Sequence, residues 1–136
     1  MYLLDTNVIL ELLLNQEQAD VVEQLLQSVS PERLFFSECS LYSPGIALVH
    51  RKLYDMFVRA VDDLLVTGGA RLMRLTASDM QDVVQTGRQF NLDFDDAYQY
   101  AVAQRYDLTI VSFDKDFDRT QRGRKTPVEI MAELTS

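Results

Sequence analysis

Three carboxylates stand where this sequence could do chemistry. Asp5 follows the apolar run Tyr2-Leu3-Leu4, Asp114 follows Ile110-Val111-Ser112-Phe113, and Asp96 lies in Asp93-Phe94-Asp95-Asp96 at the start of a helical segment. In an open α/β sheet, strand ends and helix starts meet on the carboxyl side, where ligands bind. Topology alone therefore brings three sequence-distant acids to one rim. Carboxylates gathered in one place repel unless a cation or protons sit among them. A divalent metal is the simplest neutraliser, and hard oxygen donors suit magnesium or manganese. With Cys39 and His50 the sole residues of their types, the usual zinc ligand sets are not available.

Each acid also has a purely structural reading. Asp5 could cap the helix that follows it. Asp93 reads as a helix N-cap, with Asp95 and Asp96 favouring the positive end of the helix dipole. Asp118 reads as part of a solvated turn. Capping asks for one carboxylate per helix, and it does not require three helix or turn starts to share a rim. Asp5, Asp96 and Asp114 are therefore the candidate site, and Asp93, Asp95 and Asp118 are assigned to helix and turn chemistry.

The elements that would position these acids are legible from periodicity and breakers. Short apolar runs predict strands at Met1–Leu4, Arg33–Phe36, Ala70–Leu75 and Leu108–Ser112. Helical spacing predicts helices over Val8–Leu14, Gln18–Gln27, Ser40–Lys52, Tyr54–Val66, from Thr76 or Ser78 to Phe90, and over Phe94–Arg105. A last segment spans Val128–Leu134. Ser30-Pro31 and Gly68-Gly69 punctuate the chain. Strands alternate with helices, so the expected class is α/β with a mostly parallel sheet, and the 136 residues fit a single domain, 1–136.

Bulk composition is that of a globular protein, with 47% hydrophobic and 25% charged residues. No apolar run reaches the roughly 20 residues of a membrane span. The start, Met1-Tyr2-Leu3-Leu4, lacks the basic region of a signal peptide. A lone cysteine rules out an internal disulfide and fits a reducing compartment, so a cytoplasmic protein is expected.

Leu4-Asp5-Thr6-Asn7, then Asp95-Asp96-Ala97 opening a helix, then Ile110-Val111-Ser112-Phe113-Asp114-Lys115-Asp116-Phe117 resemble the PIN domain, and within it the VapC-like toxins of toxin–antitoxin pairs. The resemblance holds in order, spacing and length, and it covers essentially the whole chain. It implies a three-layer α/β/α sandwich with a mostly parallel sheet of four or five strands. It implies a Mg2+- or Mn2+-dependent endoribonuclease that cuts RNA phosphodiester bonds with a metal-activated water, a homodimer, and an antitoxin partner that blocks the site. By position, Asp5, Asp96 and Asp114 match the acidic metal ligands. Asp116 matches a position that is often acidic and assists. Asn7 and Ser112 match polar positions that hydrogen-bond around the ligands.

The chain departs from the family at one place. A further glutamate usual in the helix after the second strand falls here at Ser43. Glu38, expected just before that helix, or water could supply the missing ligand, while Glu11 is expected to point elsewhere. The alternative is a catalytically weak or inactive PIN-like domain that binds RNA or protein. A phosphorelay receiver needs paired acids after its first strand, where Asp5 is followed by Thr6-Asn7. A haloacid-dehalogenase-type phosphatase needs a second aspartate where Asn7 stands.

The net charge of −8, from 13 Lys+Arg against 21 Asp+Glu, opposes nucleic-acid binding, because phosphate contacts need cations. The basic residues nevertheless cluster after Asp114. Lys115, Arg119, Arg122, Arg124 and Lys125 are the candidate RNA contacts, with a solvated surface loop as the alternative. Arg51 and Lys52 form a second, weaker cluster. His50 is read as a surface residue, Cys39 as a small filler, and Tyr98, Tyr100 and Tyr106 as packing residues.

Overall fold

The structure is a computed structural model describing residues 1–136. Four short strands, β1 (Tyr2–Leu4), β2 (Leu34–Ser37), β3 (Arg71–Met73) and β4 (Thr109–Val111), form one sheet in the order β3-β2-β1-β4. All three pairings are parallel, with Leu3 opposite both Phe35 and Ile110. Seven helices flank the sheet: α1 (Thr6–Leu13), α2 (Ala19–Ser28), α3 (Glu38–His50), α4 (Tyr54–Val61), α5 (Met80–Phe90), α6 (Phe94–Tyr106) and α7 (Pro127–Thr135). A single parallel bridge between Val111 and Lys125 extends the sheet beyond β4. No helix is long and apolar enough to cross a membrane.

Side chains alternate across the strands, as the two-residue period requires. Tyr2, Leu4, Leu34, Phe36 and Val111 join one buried cluster with residues of α1, α2 and α7, such as Val8, Val22, Leu25 and Ile130. Leu3, Phe35 and Ile110 face the other way, onto Val83 of α5 and Ala97, Tyr98, Val102 and Ala103 of α6. The result is the expected three-layer α/β/α sandwich. Strands buried on both faces explain why the sequence shows apolar runs there and no alternation.

Local chemistry sets several boundaries. The Asp5 carboxylate accepts a hydrogen bond from the Thr6 amide, so α1 begins two residues earlier than periodicity suggests. Thr126 and Glu129 form a reciprocal capping box with Pro127 in the first turn, which starts α7. Asn91 and Asp107 end α5 and α6 in the left-handed conformation, which Asn and Asp tolerate better than most residues. Helix α3 starts at Glu38 and runs through Pro44, so Glu38 lies inside the helix and not ahead of it.

Sheet order puts the site in place. The order in which strands are added reverses at β1, because β2 and β3 extend on one side of β1 and β4 lies on the other. The crevice at the carboxyl ends of β1 and β4 is the switch point, and Asp5 and Ser112 lie directly beyond those ends. The loop after β4 continues into a 3-10 turn, Lys115–Arg119, whose Phe117 is wholly buried beside α6. Phe117→Ala should cost about 3–5 kcal/mol in urea unfolding, the range for an aromatic-to-alanine cavity. A cost under about 1 kcal/mol would mean that this loop is not anchored through its ring.

Candidate active site

Asp5, Asn7, Asp93, Asp95, Asp96 and Asp114 line one open cleft at the carboxyl rim of the sheet. Carboxylate oxygens of Asp96, Asp114 and Asp116 come within 4.8 Å of one another, and so do those of Asp93, Asp95 and Asp96. Asp96 belongs to both groups. The three acids selected from the sequence are therefore together, with Asp116 beside them.

Asp5 sits deepest, with 6% of its surface exposed. Its Oδ1 accepts from Thr6 N at 2.8 Å and from Gln99 Nε2 at 3.1 Å, and its Oδ2 accepts from Ser112 Oγ at 2.6 Å. Burial pushes its pKa up and the Asp114 charge adds to this, while the bonds from Ser112, Gln99 and Thr6 oppose it. Asp96 is pushed up to about 8, first by burial and then by the charges of Asp5, Asp114 and Asp95. Crowded carboxylates at the foot of a cleft need protons or a cation to coexist. All the donors on offer are hard oxygens, the chemistry that suits Mg2+ or Mn2+.

Asn7 and Ser112 tie the rim together. Ser112 Oγ donates to Asp5 and accepts from the Asp114 amide at 2.9 Å. Asn7 Nδ2 donates to Ser112 Oγ at 3.2 Å, and Asn7 Oδ1 accepts from Phe113 N at 3.2 Å. Asp114 in turn accepts from the Asp116 amide at 2.8 Å, which holds the tight turn that presents both acids. The supporting polar pair read from the sequence thus links the ends of β1 and β4.

The structural assignments divide. Asp93 occupies the N-cap position of α6 but makes no capping bond, so its carboxylate is free to face the cleft. Asp95 accepts from the Asp96 amide at 3.1 Å and takes part of the capping role instead. Asp118 pairs with Arg124 through both oxygens, at 3.1 and 3.2 Å, consistent with turn chemistry. Glu38 is engaged away from the cluster, with Oε1 against Arg74 Nε at 3.1 Å and Oε2 accepting from the Tyr98 hydroxyl at 3.4 Å. Glu11 accepts from Gln18 N and does point elsewhere.

The basic cluster is mostly spoken for. Arg119 pairs with Asp116 at 2.9 Å, Arg122 with Asp107 at 2.7 Å, Arg124 with Asp118, and Lys125 with Glu133. Arg124 also donates to the Ser112 carbonyl at 3.1 Å, so it braces the acidic loop. Lys115 alone of the five has no carboxylate partner, and it is exposed beside Asp114. The expected phosphate-contacting patch is therefore a set of internal ion pairs plus one free lysine.

Sequence reasoning missed Gln99. It is buried in α6, and its Nε2 reaches both Asp5 Oδ1 and Ser40 Oγ, the latter at 2.7 Å. Its one available signal was its place three residues after Asp96, on a helix whose neighbouring positions are all packed.

A family model for the PIN domain matches residues 2–123. The chain belongs to the PIN domain family. Solved PIN-fold structures superpose over nearly its whole length. A toxin–antitoxin complex from Klebsiella pneumoniae has a TM-score of 0.73 at 22% identity, covering 93% of this chain and 98% of that one. FitAcB from Neisseria gonorrhoeae has a TM-score of 0.72 at 21% identity, covering 94% and 99%. VapC20 from Mycobacterium tuberculosis, described as a sarcin–ricin-loop-cleaving toxin, has a TM-score of 0.74 at 20% identity, covering 87% and 93%. No curated protein sequence matches the chain. These likenesses establish the PIN fold of this domain, with VapC- and FitB-type toxins as its structural neighbours.

Proposed function

We propose that this PIN domain is a divalent-metal-dependent endoribonuclease and the toxin of a toxin–antitoxin pair. The observation that carries the reading is the convergence of Asp96, Asp114 and Asp116 within 4.8 Å, against a buried Asp5, at the switch point of the sheet. Asp5, Asp96 and Asp114 would hold Mg2+ or Mn2+. The ion, when bound, would lend Lewis-acid stabilisation to a scissile phosphate and acidify water. Asp116, whose Oδ1 pairs with Arg119, would orient an attacking water. Ser112 and Asn7 fix the rim that carries these acids.

The partners follow the same reading. The Klebsiella pneumoniae neighbour is a toxin–antitoxin complex, which supports an antitoxin for this chain. Exposed Tyr42, Ile46, Val49, Tyr54 and Val58 on α3 and α4 give an apolar surface that suits a homodimer. Lys115 is the cation of the cluster after Asp114 that is free to meet RNA phosphate. If it does, the slope of log affinity against log salt for a single-stranded RNA should flatten by about 0.7 in Lys115→Ala, the loss of one phosphate contact. Arg122→Ala should leave that slope unchanged, since Arg122 is committed to Asp107 and the Leu108 carbonyl. Equal slopes for the wild type and Lys115→Ala would remove Lys115 from the RNA interface.

Ser43 favours a second reading, a PIN domain that binds RNA but cuts poorly, because the one carboxylate of α3, Glu38, is held by Arg74 and Tyr98. A cleavage assay on a mixed-sequence RNA separates the two. The nuclease reading expects cutting in Mn2+ and none in EDTA. Binding without cutting in Mn2+ would establish the second reading, and equal cutting in EDTA would reject the metal site.

A further inference from the structure

We infer that Gln99 is a positioning residue for Asp5, holding this carboxylate in place by donating to it. The inference rests on the metal-site reading of Asp5. Gln99 Nε2 donates to Asp5 Oδ1 at 3.1 Å and to Ser40 Oγ at 2.7 Å, and Ser40 Oγ donates onward to the Leu4 carbonyl at 3.0 Å. The chain of bonds closes on itself, because Leu4 and Asp5 are neighbours. It ties the end of β1 to the second turn of α6 and to the first turn of α3.

The acceptor side of this glutamine adds no stability. Gln99 is 1% exposed, and its Oε1 is buried with no hydrogen-bond partner. An unpaired buried carbonyl oxygen costs stability, and a methionine of similar length would bury the same stem without that cost. The amide cannot turn over to relieve it, since Oε1 would then face the Asp5 carboxylate. What the residue provides is the donor side. With Thr6 N on the same oxygen and Ser112 Oγ on the other, Asp5 is held from three directions and its rotamer is fixed. A glutamate at position 99 would instead add another charge to a cleft already holding Asp5, Asp93, Asp95, Asp96 and Asp114. Partners that orient a ligand typically govern metal affinity by 10–100-fold.

Manganese EPR titration of the full chain tests this with Gln99→Met, which keeps the shape and deletes the donor. The expected result is roughly tenfold weaker Mn2+ binding. RNA cleavage at fixed, subsaturating Mn2+ should lose kcat to a similar extent with KM for RNA unchanged, because Gln99 touches no substrate. A purely packing role would shift Tm and leave Mn2+ affinity alone. A folded Gln99→Met that binds Mn2+ like the wild type overturns the inference while leaving the metal reading intact. If Gln99→Met does not fold, Ser40→Ala decides: it removes the second anchor of the amide, and unchanged Mn2+ affinity again overturns the inference. If the wild type itself binds no Mn2+, the metal reading fails and the inference fails with it.

Discussion

Asp5→Asn is expected to lower Mn2+-dependent RNA cleavage by roughly 10²–10³-fold, the size of losing one preorganised electrostatic contact in an active site. Asp5 is the most enclosed of the acids, and its two oxygens accept from Thr6, Gln99 and Ser112. Asparagine keeps the planar shape and halves the number of acceptors. Ser112 Oγ already accepts from Asn7 and Asp114, so the new amide nitrogen faces a donor on one side and one hydrogen bond is lost, a cost that loss of the buried charge offsets. Removing a charge that burial already penalises should leave the Tm of the metal-free protein equal to or above that of the wild type. Initial cleavage rates and thermal unfolding in EDTA, measured on the same preparation, check both halves. Wild-type rates in a folded Asp5→Asn protein would place the active site elsewhere.

The sheet and most of its site could be read from the chain because the information was local. Asp5 and Asp114 each follow a run of β-prone residues, and Asp96 opens a long helix, so topology brought them to one rim before any coordinates did. The roles of single charges were less accessible, because pairing is tertiary. Arg122 meets Asp107 from 15 residues away, and Arg124 reaches back across the turn to the Ser112 carbonyl. A run of basic residues does not announce which acids will claim it. Glu38 is expected ahead of the helix because the helical pattern is legible only from Ser40, whereas the Ser37 cap, which accepts from Cys39 N, starts α3 at Glu38. Gln99 was hidden for a different reason. The stretch Ala97–Tyr100 of α6 is buried all round, so no amphipathic stripe marks which polar residue points inward.

Asp96→Asn should uncouple stability from function in the opposite sense to a core mutation. Asp96 is half-buried and pushed up to about 8, by burial first and then by Asp5, Asp114 and Asp95. In the unfolded chain an aspartate titrates near about 3.9. Between those values the folded protein holds a proton that the unfolded chain has lost. Stability is then fully present below the unfolded pKa and is lost as pH rises through the folded one. Water screens a half-exposed carboxyl, so the expected loss in EDTA between pH 5 and 9 is about 1–2 kcal/mol, or roughly 5 °C in Tm. The neutral asparagine has no such proton to lose, so its Tm should stay flatter and exceed that of the wild type at pH 9. Added Mn2+ reverses the order. At a hundred times its Kd, the ion would stabilise the wild type by about 2.7 kcal/mol, and a variant lacking one shared ligand should gain much less. Thermal scans at pH 5, 7 and 9, with EDTA and with Mn2+, give the full grid. A wild-type Tm that climbs from pH 7 to 9 in EDTA, or an Asp96→Asn protein that gains as much from Mn2+ as the wild type, would mean that Asp96 is not the crowded carboxylate at the centre of this site.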